Sequence, residues 1–438
     1  MLMVLLVSVI LLEANTVDPV LELGSYIHRG IGSWSGLPLL LTPLEILIIA
    51  ALGTAIMSVA LTRQSIGRAA FGWSIVLFII MLAAGFARGA VAGGDMYIGL
   101  WEVRYLLYVP ALYVIARISL RRPEHIAALL LVGLAATAVF AVEGAYRKIA
   151  LINTGLLGTF PDLFYEHDDV IFLATFLIFA SSAFVFRVQG RVRVLGVLAA
   201  PILAFTLLAS GRRSGIIVLL VGLLVIALVL FIVKRRAFFA NALPLLVVAG
   251  LFLALTWNAA GMVGQPARAI RSLYEPDPRD AASNFYRLLE TYDITATLQS
   301  DPLLGVGFGR EFLMVAMLPD LSWWPFWRYE THNSVLWIWM KLGVIGYVVF
   351  WSIIGSGMSR AAFAAKRLTD PGLRSAALFC LVALVGTIVY GYVDLAFVSG
   401  RTTVLLGAVL GIIAVLERLD RQTRQLAGAA VTDGAARA

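Results

Sequence analysis

Charge and sulfur are what this sequence has least of. Only 14% of its 438 residues are Asp, Glu, Lys or Arg, against about 25% in soluble globular domains. A soluble globular protein is excluded. The single cysteine, Cys380, stands in an apolar run, so an intramolecular disulfide and any cysteine-based zinc site are excluded, and the redox compartment is left open. Histidines number four, with no second one at helical ligand spacing from His332, so no zinc signature is present. Repeats of about 20–50 residues are absent, and low complexity is confined to the Ala/Gly-rich end after Leu426.

What is present is hydrophobic: 61% of residues are apolar and the mean hydropathy is +0.92. A bilayer-spanning helix needs about 20 mostly apolar residues. Apolar runs between charged punctuation predict eleven spans, near 38–61, 69–91, 97–119, 126–142, 170–186, 194–209, 214–233, 238–258, 334–357, 375–393 and 402–416. Met1–Leu12 is a twelfth candidate, although ~12 residues cover only ~18 Å of a ~30 Å core. A cleaved signal peptide is the rival reading of that run, disfavoured by the lack of a charged n-region and of a small-x-small cleavage site. The expected fold class is all-α, a polytopic membrane protein with about 12 transmembrane helices and one large external loop. We expect one membrane domain over 1–425, including a 261–331 loop with short amphipathic helices, and a disordered cytoplasmic tail over 426–438.

A net charge of +8 and a pI near 9.7 point to nucleic acid in a soluble protein, but in a polytopic one basic residues collect in cytoplasmic loops. That pattern is regular here. Arg63 and Arg68, Arg117 to Arg122, Arg187 to Arg193, Lys234 to Arg236, Arg360 to Arg374 and the tail with Arg418, Arg421 and Arg424 all fall on one side, which is read as the cytoplasm. The opposite loops hold the acidic Asp162 to Asp169 stretch and the long segment from Gly261 to Thr331.

Ionisable side chains at membrane depth cost a few kcal/mol or more and normally face a partner or a wet cavity. Glu102 and Arg104 are expected to form a structural pair, and Lys341 lies inside its span. Asp394 and Arg401 flank the last external turn. Arg212 and Arg213, in Ser210-Gly-Arg-Arg-Ser-Gly215, fall outside, where positive-inside logic disfavours them; they either snorkel to lipid phosphates or serve a site. In the external segment, Phe285, Leu288, Leu289 and Tyr292 predict a surface helix starting at Ser283 or Asn284 and stopping before Pro302, with Arg287 on it. Asp301-Pro-Leu-Leu-Gly-Val-Gly-Phe-Gly-Arg310 follows. It lacks the Gly-x-Gly-x-x-Gly spacing and a preceding strand, so a dinucleotide site is rejected and a tight turn is expected. Trp323, Trp324, Phe326, Trp327 and Tyr329 are read as interfacial anchors or as a sugar-stacking surface. His332, at the start of a span, is either a cap or core residue or a functional one.

His332-Asn333, nine residues, Gly343, two residues, Gly346 resembles the signature of bacterial O-antigen ligases and the related O-antigen polymerases. Ser210 to Gly215 resembles that superfamily's serine/arginine motif, Asp301-Pro-Leu-Leu-Gly-Val-Gly307 its proline/glycine element, and Arg287 stands where it carries an upstream arginine. The resemblance covers residues 205 to 350. It implies a membrane glycosyltransferase of the C-type fold in the bacterial inner membrane, with the large loop and the active site in the periplasm and the C-terminus in the cytoplasm. It also implies transfer of a glycan from undecaprenyl pyrophosphate to an acceptor hydroxyl, with inversion and without a metal or other cofactor. By the same resemblance His332 is the essential histidine, and Arg213 and Arg287 bind the donor pyrophosphate. The doubled Arg212-Arg213 leaves that register open by one residue, so Arg212 is kept as a donor-binding candidate. Arg310, Glu330 and Asn333 are accessory candidates.

The chemistry suits these residues. Cleaving the bond from an anomeric carbon to a pyrophosphate develops charge on the leaving oxygens, which planar, permanently charged guanidinium groups stabilise. The acceptor hydroxyl must lose a proton, and a positioned base is worth about 10²–10⁴-fold. His332 fits that role, with Glu330 and Asp320 as alternative bases. The expected partners are a lipid-linked glycan, a glycan or lipid-core acceptor, and membrane lipids, with no nucleic acid. A ligase acting on lipid A-core is favoured over a polymerase by the spacing after His332. A secondary transporter of an anionic substrate, the alternative from another class, ranks below both because the notable residues gather on one face.

Overall fold

The computed structural model describes residues 1–12, 27–32, 40–63, 70–155 and 166–437. Among them there is no β-strand. The main helices are α1 (Leu2–Leu11), α2 (Pro43–Thr62), α3 (Gly72–Val91), α4 (Met96–Ser119), α5 (Pro123–Tyr146), α6 (Asp169–Val185), α7 (Arg191–Ala209), α8 (Arg213–Val233), α9 (Leu243–Leu255), α10 (Gly261–Arg271), α11 (Pro278–Ser300), α12 (Ser334–Arg367), α13 (Pro371–Val393) and α14 (Gly400–Arg437). Their starts are chemically marked. Thr42 closes a capping box with Glu45 on α2, Asp95 accepts the N–H groups of Tyr97 and Ile98 on α4, and Asp277 and Asp370 cap α11 and α13 just before a proline.

Among the described residues, nine helices are long and apolar enough to cross a membrane: α2, α3, α4, α5 extended to Ile152, α7, α8, α12, α13 and α14 as far as Gln422. The runs expected at 1–12, 170–186 and 238–258 are apolar helices of 10, 17 and 13 residues. At 1.5 Å per residue these reach about 15, 25 and 20 Å. The third is shortened because Phe238–Ala242 forms a π-turn ahead of it. The bundle packs through small residues where helices meet closely. On α14, a Cβ at Gly407 would lie 2.6 Å from the Val109 carbonyl oxygen, and one at Gly411 would lie 2.4 Å from Ala116 Cβ, so α14 seats directly on α4.

The stretch expected to be a simple tight turn is instead a wedge between three helices. Gly305, Gly307 and Gly309 all have positive φ, and so does Gly343, which breaks α12 from within. That break frees backbone groups which the wedge satisfies: Val306 N–H donates to Met340 O at 2.8 Å, and Val344 N–H donates to Pro302 O at 3.1 Å. On the other side Phe308 N–H donates to Gly85 O of α3, and Asp95 N–H, ahead of α4, donates to Gly309 O. Phe308 is buried over Gly85 and Gly89, where a side chain would collide with it. The spacing from His332 to Gly343 thus has a structural cause.

Glu102 is not paired with Arg104, as the sequence reading expected. Residues two apart on a helix point about 200° from each other and do not meet. Glu102 instead forms an ion pair with Lys341 at 2.7 Å, both side chains being fully buried. Gly309 N–H donates to Glu102 Oε2 at 2.5 Å and Lys341 Nζ donates to Arg310 O at 2.6 Å, so the pair clamps the wedge. Arg104 turns to Glu45 at 3.4 Å and lies 3.9 Å over the Trp101 ring. Lys341→Met should therefore cost about 3–5 kcal/mol by stranding a buried carboxylate. Adding Glu102→Gln should restore much of that loss, and unfolding of the purified variants in detergent measures both; simple additivity would refute the pairing argument.

Candidate active site at one end of the bundle

The α7–α8 junction, the start of α11, the approach to α12 and the turn after α13 meet at one end of the bundle. Gly211, at φ +66°, reverses the chain after α7, and Ser210 Oγ accepts from Arg212 N–H at 3.3 Å. Gly215 has no room for a side chain beside Val170, so α8 seats against α6 and carries Arg213 to the floor of a cavity of about 340 Å³. Arg212, Arg213 and Arg287 all line it, joined by Arg268 and Arg279. Five arginines against two lining carboxylates, Asp280 and Asp394, make the cavity cationic and suit it to a polyanionic occupant.

The arginines are held by α10 and α11. Arg213 donates to Ser272 Oγ at 3.2 Å and to Asn284 Oδ1 at 3.1 Å, with Asp280 3.4 Å from its Nε. Arg268 bridges Asp277 and Asp280 at 2.7 and 3.1 Å. The N–H of Asp280 holds the Asp277 carboxyl below its ordinary value, against a small effect of burial and with help from Arg268. Arg287 donates to Ser283 Oγ at 2.6 Å, yet its Nε is buried with no hydrogen-bond partner among the described residues. A buried guanidinium N–H without a partner is costly. An anionic ligand in the cavity would supply an acceptor for it.

His332 sits beside this cavity. Its Nδ1 lies 3.2 Å from both carboxylate oxygens of Glu290, and its backbone N–H donates to Glu290 Oε2 at 2.8 Å. Glu290 is buried, and the Tyr286 ring packs edge-on at 5.6 Å. A carboxylate only accepts, so the ring proton belongs on Nδ1 and Nε2 keeps its lone pair. Across from it His167 Nδ1 lies 3.2 Å from Asp394 Oδ2, and the two imidazole rings are 6.5 Å apart.

Sequence reasoning missed Glu290, His167, Arg268 and Arg279. The α11 helix was foreseen from its apolar residues, but it starts at Pro278 rather than at Ser283 or Asn284. Phe285, Leu288 and Tyr292 are exposed on the outside. The face turned inward is polar, with Ser283, Tyr286, Arg287 and Glu290 at i, i+3, i+4 and i+7. That second stripe was the available signal for Glu290. His167 carried no signal, since its partner is more than 200 residues away.

The accessory candidates lie apart from the cavity lining. Arg310 is exposed and donates to Ala92 O at 2.7 Å. Glu330 is buried, and burial together with nearby Glu102 pushes its carboxyl well above the ordinary range despite Lys341. Asp320 is exposed and is kept low by the N–H of Ser322. Asn333 caps α12, its Oδ1 accepting from Leu336 N–H at 3.1 Å. Glu166, Asp168 and Asp169 lie close enough together to hold a cation. Arg401 already stands among them, 3.0 Å from Asp168 and 3.4 Å from Glu166, and also pairs with Asp169.

Comparison with protein families adds the decisive observation: residues 196–351 match the family model described as O-antigen ligase. That segment of the chain is similar to O-antigen ligases. The match spans the α7–α8 junction, α11, the glycine wedge and the kinked first half of α12, so Arg213, Arg287, Glu290 and His332 all lie within it. A search of curated proteins returned no match. The O-antigen ligase/polymerase superfamily consists of multi-pass membrane glycosyltransferases that use a lipid-linked glycan and a glycan acceptor, and the nine apolar helices accord with that. Because Asn333 serves as a helix cap, Asn333→Ala should cost about 1 kcal/mol of stability and Asn333→Ser almost none. Thermal unfolding in detergent reads both, and a severe loss of activity in a stable Asn333→Ser protein would contradict the capping role.

Proposed function

We propose that this cavity transfers a glycan from undecaprenyl pyrophosphate to an acceptor hydroxyl at the periplasmic face of the bacterial inner membrane, in the manner of an O-antigen ligase. The observation that carries the reading is the convergence of Arg213 and Arg287 on one cavity, with the Glu290-backed imidazole of His332 beside it. The basic clusters at the far ends of the helices favour the cytoplasm there, which supports reading this end as external, the C-terminus as internal and the shorter apolar helices as further spans.

The step is a direct displacement. The acceptor oxygen bonds to the anomeric carbon, the bond from that carbon to the diphosphate oxygen breaks with its electron pair going to the diphosphate, and the hydroxyl proton goes to His332 Nε2. Configuration inverts. Arg213 and Arg287, with Arg212 on the same wall, neutralise the charge developing on the departing diphosphate, where such preorganised donors are worth several kcal/mol. Glu290 fixes the ring tautomer and stabilises the imidazolium that forms. Charge neutralisation and proton removal are both supplied by side chains, so turnover is expected to continue in chelator.

His332→Ala should lower transfer by about 10²–10⁴-fold while the lipid-linked donor still binds. Glu290→Gln should act in the same direction with a smaller loss, and Arg287→Ala should weaken donor binding as well as turnover. Purified protein in detergent, supplied with a lipid-linked glycan and an acceptor, reports all three; undiminished turnover in His332→Ala would sink the assignment. In a deletion strain, loss of lipid A-linked long chains with accumulation of lipid-linked polymer supports the ligase. Persistence of a single surface repeat unit supports the polymerase.

A further inference from the structure

His167 and Asp394 lie outside the matched segment 196–351, yet both line the arginine cavity. His167 stands just before α6 and Asp394 just after α13, so two regions distant in sequence are brought to one wall. Asp394 is 2% exposed. Burial by itself would raise its carboxyl, but His167, the hydrogen bond between them, His332 and Arg287 outweigh burial and hold it well below the usual carboxylate range. Asp394 is therefore a fixed negative charge against Nδ1 of His167, and Nε2 is the ring nitrogen that this contact leaves unengaged. His167 remains 44% exposed, against 19% for His332.

The two histidines share a design but face different company. His332 is backed by Glu290 and is not among the residues lining the arginine cavity, whereas His167 lines it together with Arg212, Arg213 and Arg287. A protonated imidazole there presents an Nε2–H donor and a positive charge to whatever anion the arginines hold; a neutral one presents a lone pair, which an anion oxygen repels. The other charged groups around the ring are accounted for. Arg212 and Arg213 come from α8, Arg287 from α11, Asp394 from the turn after α13 and the His332 imidazole from the approach to α12, while Glu166, Asp168 and Asp169 beside it are engaged by Arg401 of α14.

We propose that His167, oriented by Asp394, is a further ligand of the donor diphosphate, a protonatable one that tightens the arginines' hold as the external pH falls. The inference rests on the reading of the cavity as a diphosphate site, and the test separates the two. A protonated imidazole carries a charge that the neutral ring lacks, so anion binding should strengthen as pH falls.

The probe is a dialkyl diphosphate, a diester whose own charge is constant over this range, titrated into the full-length protein in detergent. Wild type should bind it roughly tenfold more tightly at about pH 5.5 than at about pH 8, the worth of one charge-assisted hydrogen bond. His167→Gln should match wild type at the higher pH and gain little at the lower. His167→Lys should bind tightly at both, and it carries the test if the glutamine variant does not fold. In turnover, His167→Gln should raise the donor KM at low pH and leave kcat nearly unchanged. A glutamine or lysine variant that keeps the full pH dependence would assign the effect to another group, His332 first, and would overturn the proposal, as would a wild type that binds with pH-independent affinity. No binding by wild type at either pH would overturn the diphosphate site itself.

Discussion

A lysine ammonium and a glutamate carboxylate, both out of reach of solvent, hold the wedge that fixes one end of the bundle. Lys341 comes from the first half of α12 and Glu102 from α4, and each also binds a backbone group of the wedge, Arg310 O and Gly309 N–H. Charges buried in this way are favourable only when they meet each other and have their remaining hydrogen bonds satisfied. The pair therefore sets three elements at once. The glycines complete the constraint, because Gly305 and Gly343 approach so closely that a Cβ on either would overlap the other's backbone neighbours. With α12 broken and pinned there, the chain leading into it can deliver His332 to Glu290 on α11.

From that fixed end the site follows by charge accounting. Ten charged or protonatable side chains from five regions of the chain lie within or beside one cavity, and most have a partner that orients them without neutralising the whole. Asp277 and Asp280 hold Arg268 and Arg213, while Ser283 holds Arg287 and its Nε keeps an unmet need. The result is a preorganised cationic cavity with an imidazole beside it whose lone pair is directed by a buried carboxylate. Such an arrangement is matched to a reaction in which one oxygen loses a proton while another gains an electron pair. The second imidazole, His167 on Asp394, stands in the lining of the same cavity.

Much of this was legible in the chain before any coordinates. Hydropathy located every apolar helix, although α12 and α14 run on to Arg367 and Arg437, past the expected ends at 357 and 416, since a lipid-facing helix must be apolar over its length while a helix can continue beyond the bilayer. Arg212 and Arg213 stood out as cations where neither bilayer nor topology favours them, and Arg287 by the family resemblance; all three line one cavity. Other expectations failed for local reasons. Proximity in sequence suggested Glu102 with Arg104, but helical geometry turned them apart; the Gly-x-Gly-x-Gly run looked like a turn, but positive φ at alternate positions let it thread between three helices. Glu330 and Asn333 are neighbours of His332 in sequence; the first is buried and the second caps α12.

The sequence by itself determined the membrane class, the placement of the helices and the residues whose chemistry suits a diphosphate and a hydroxyl, because these depend on composition, periodicity and side-chain type. Tertiary structure alone decided the partners: Glu290 behind His332, Asp394 behind His167, and Lys341 with Glu102. The reason is physical. A buried ionisable group is stabilised by whatever opposite charge lies within a few ångströms in space, and in a bundle of long helices those neighbours come from segments of the chain separated by tens to hundreds of residues.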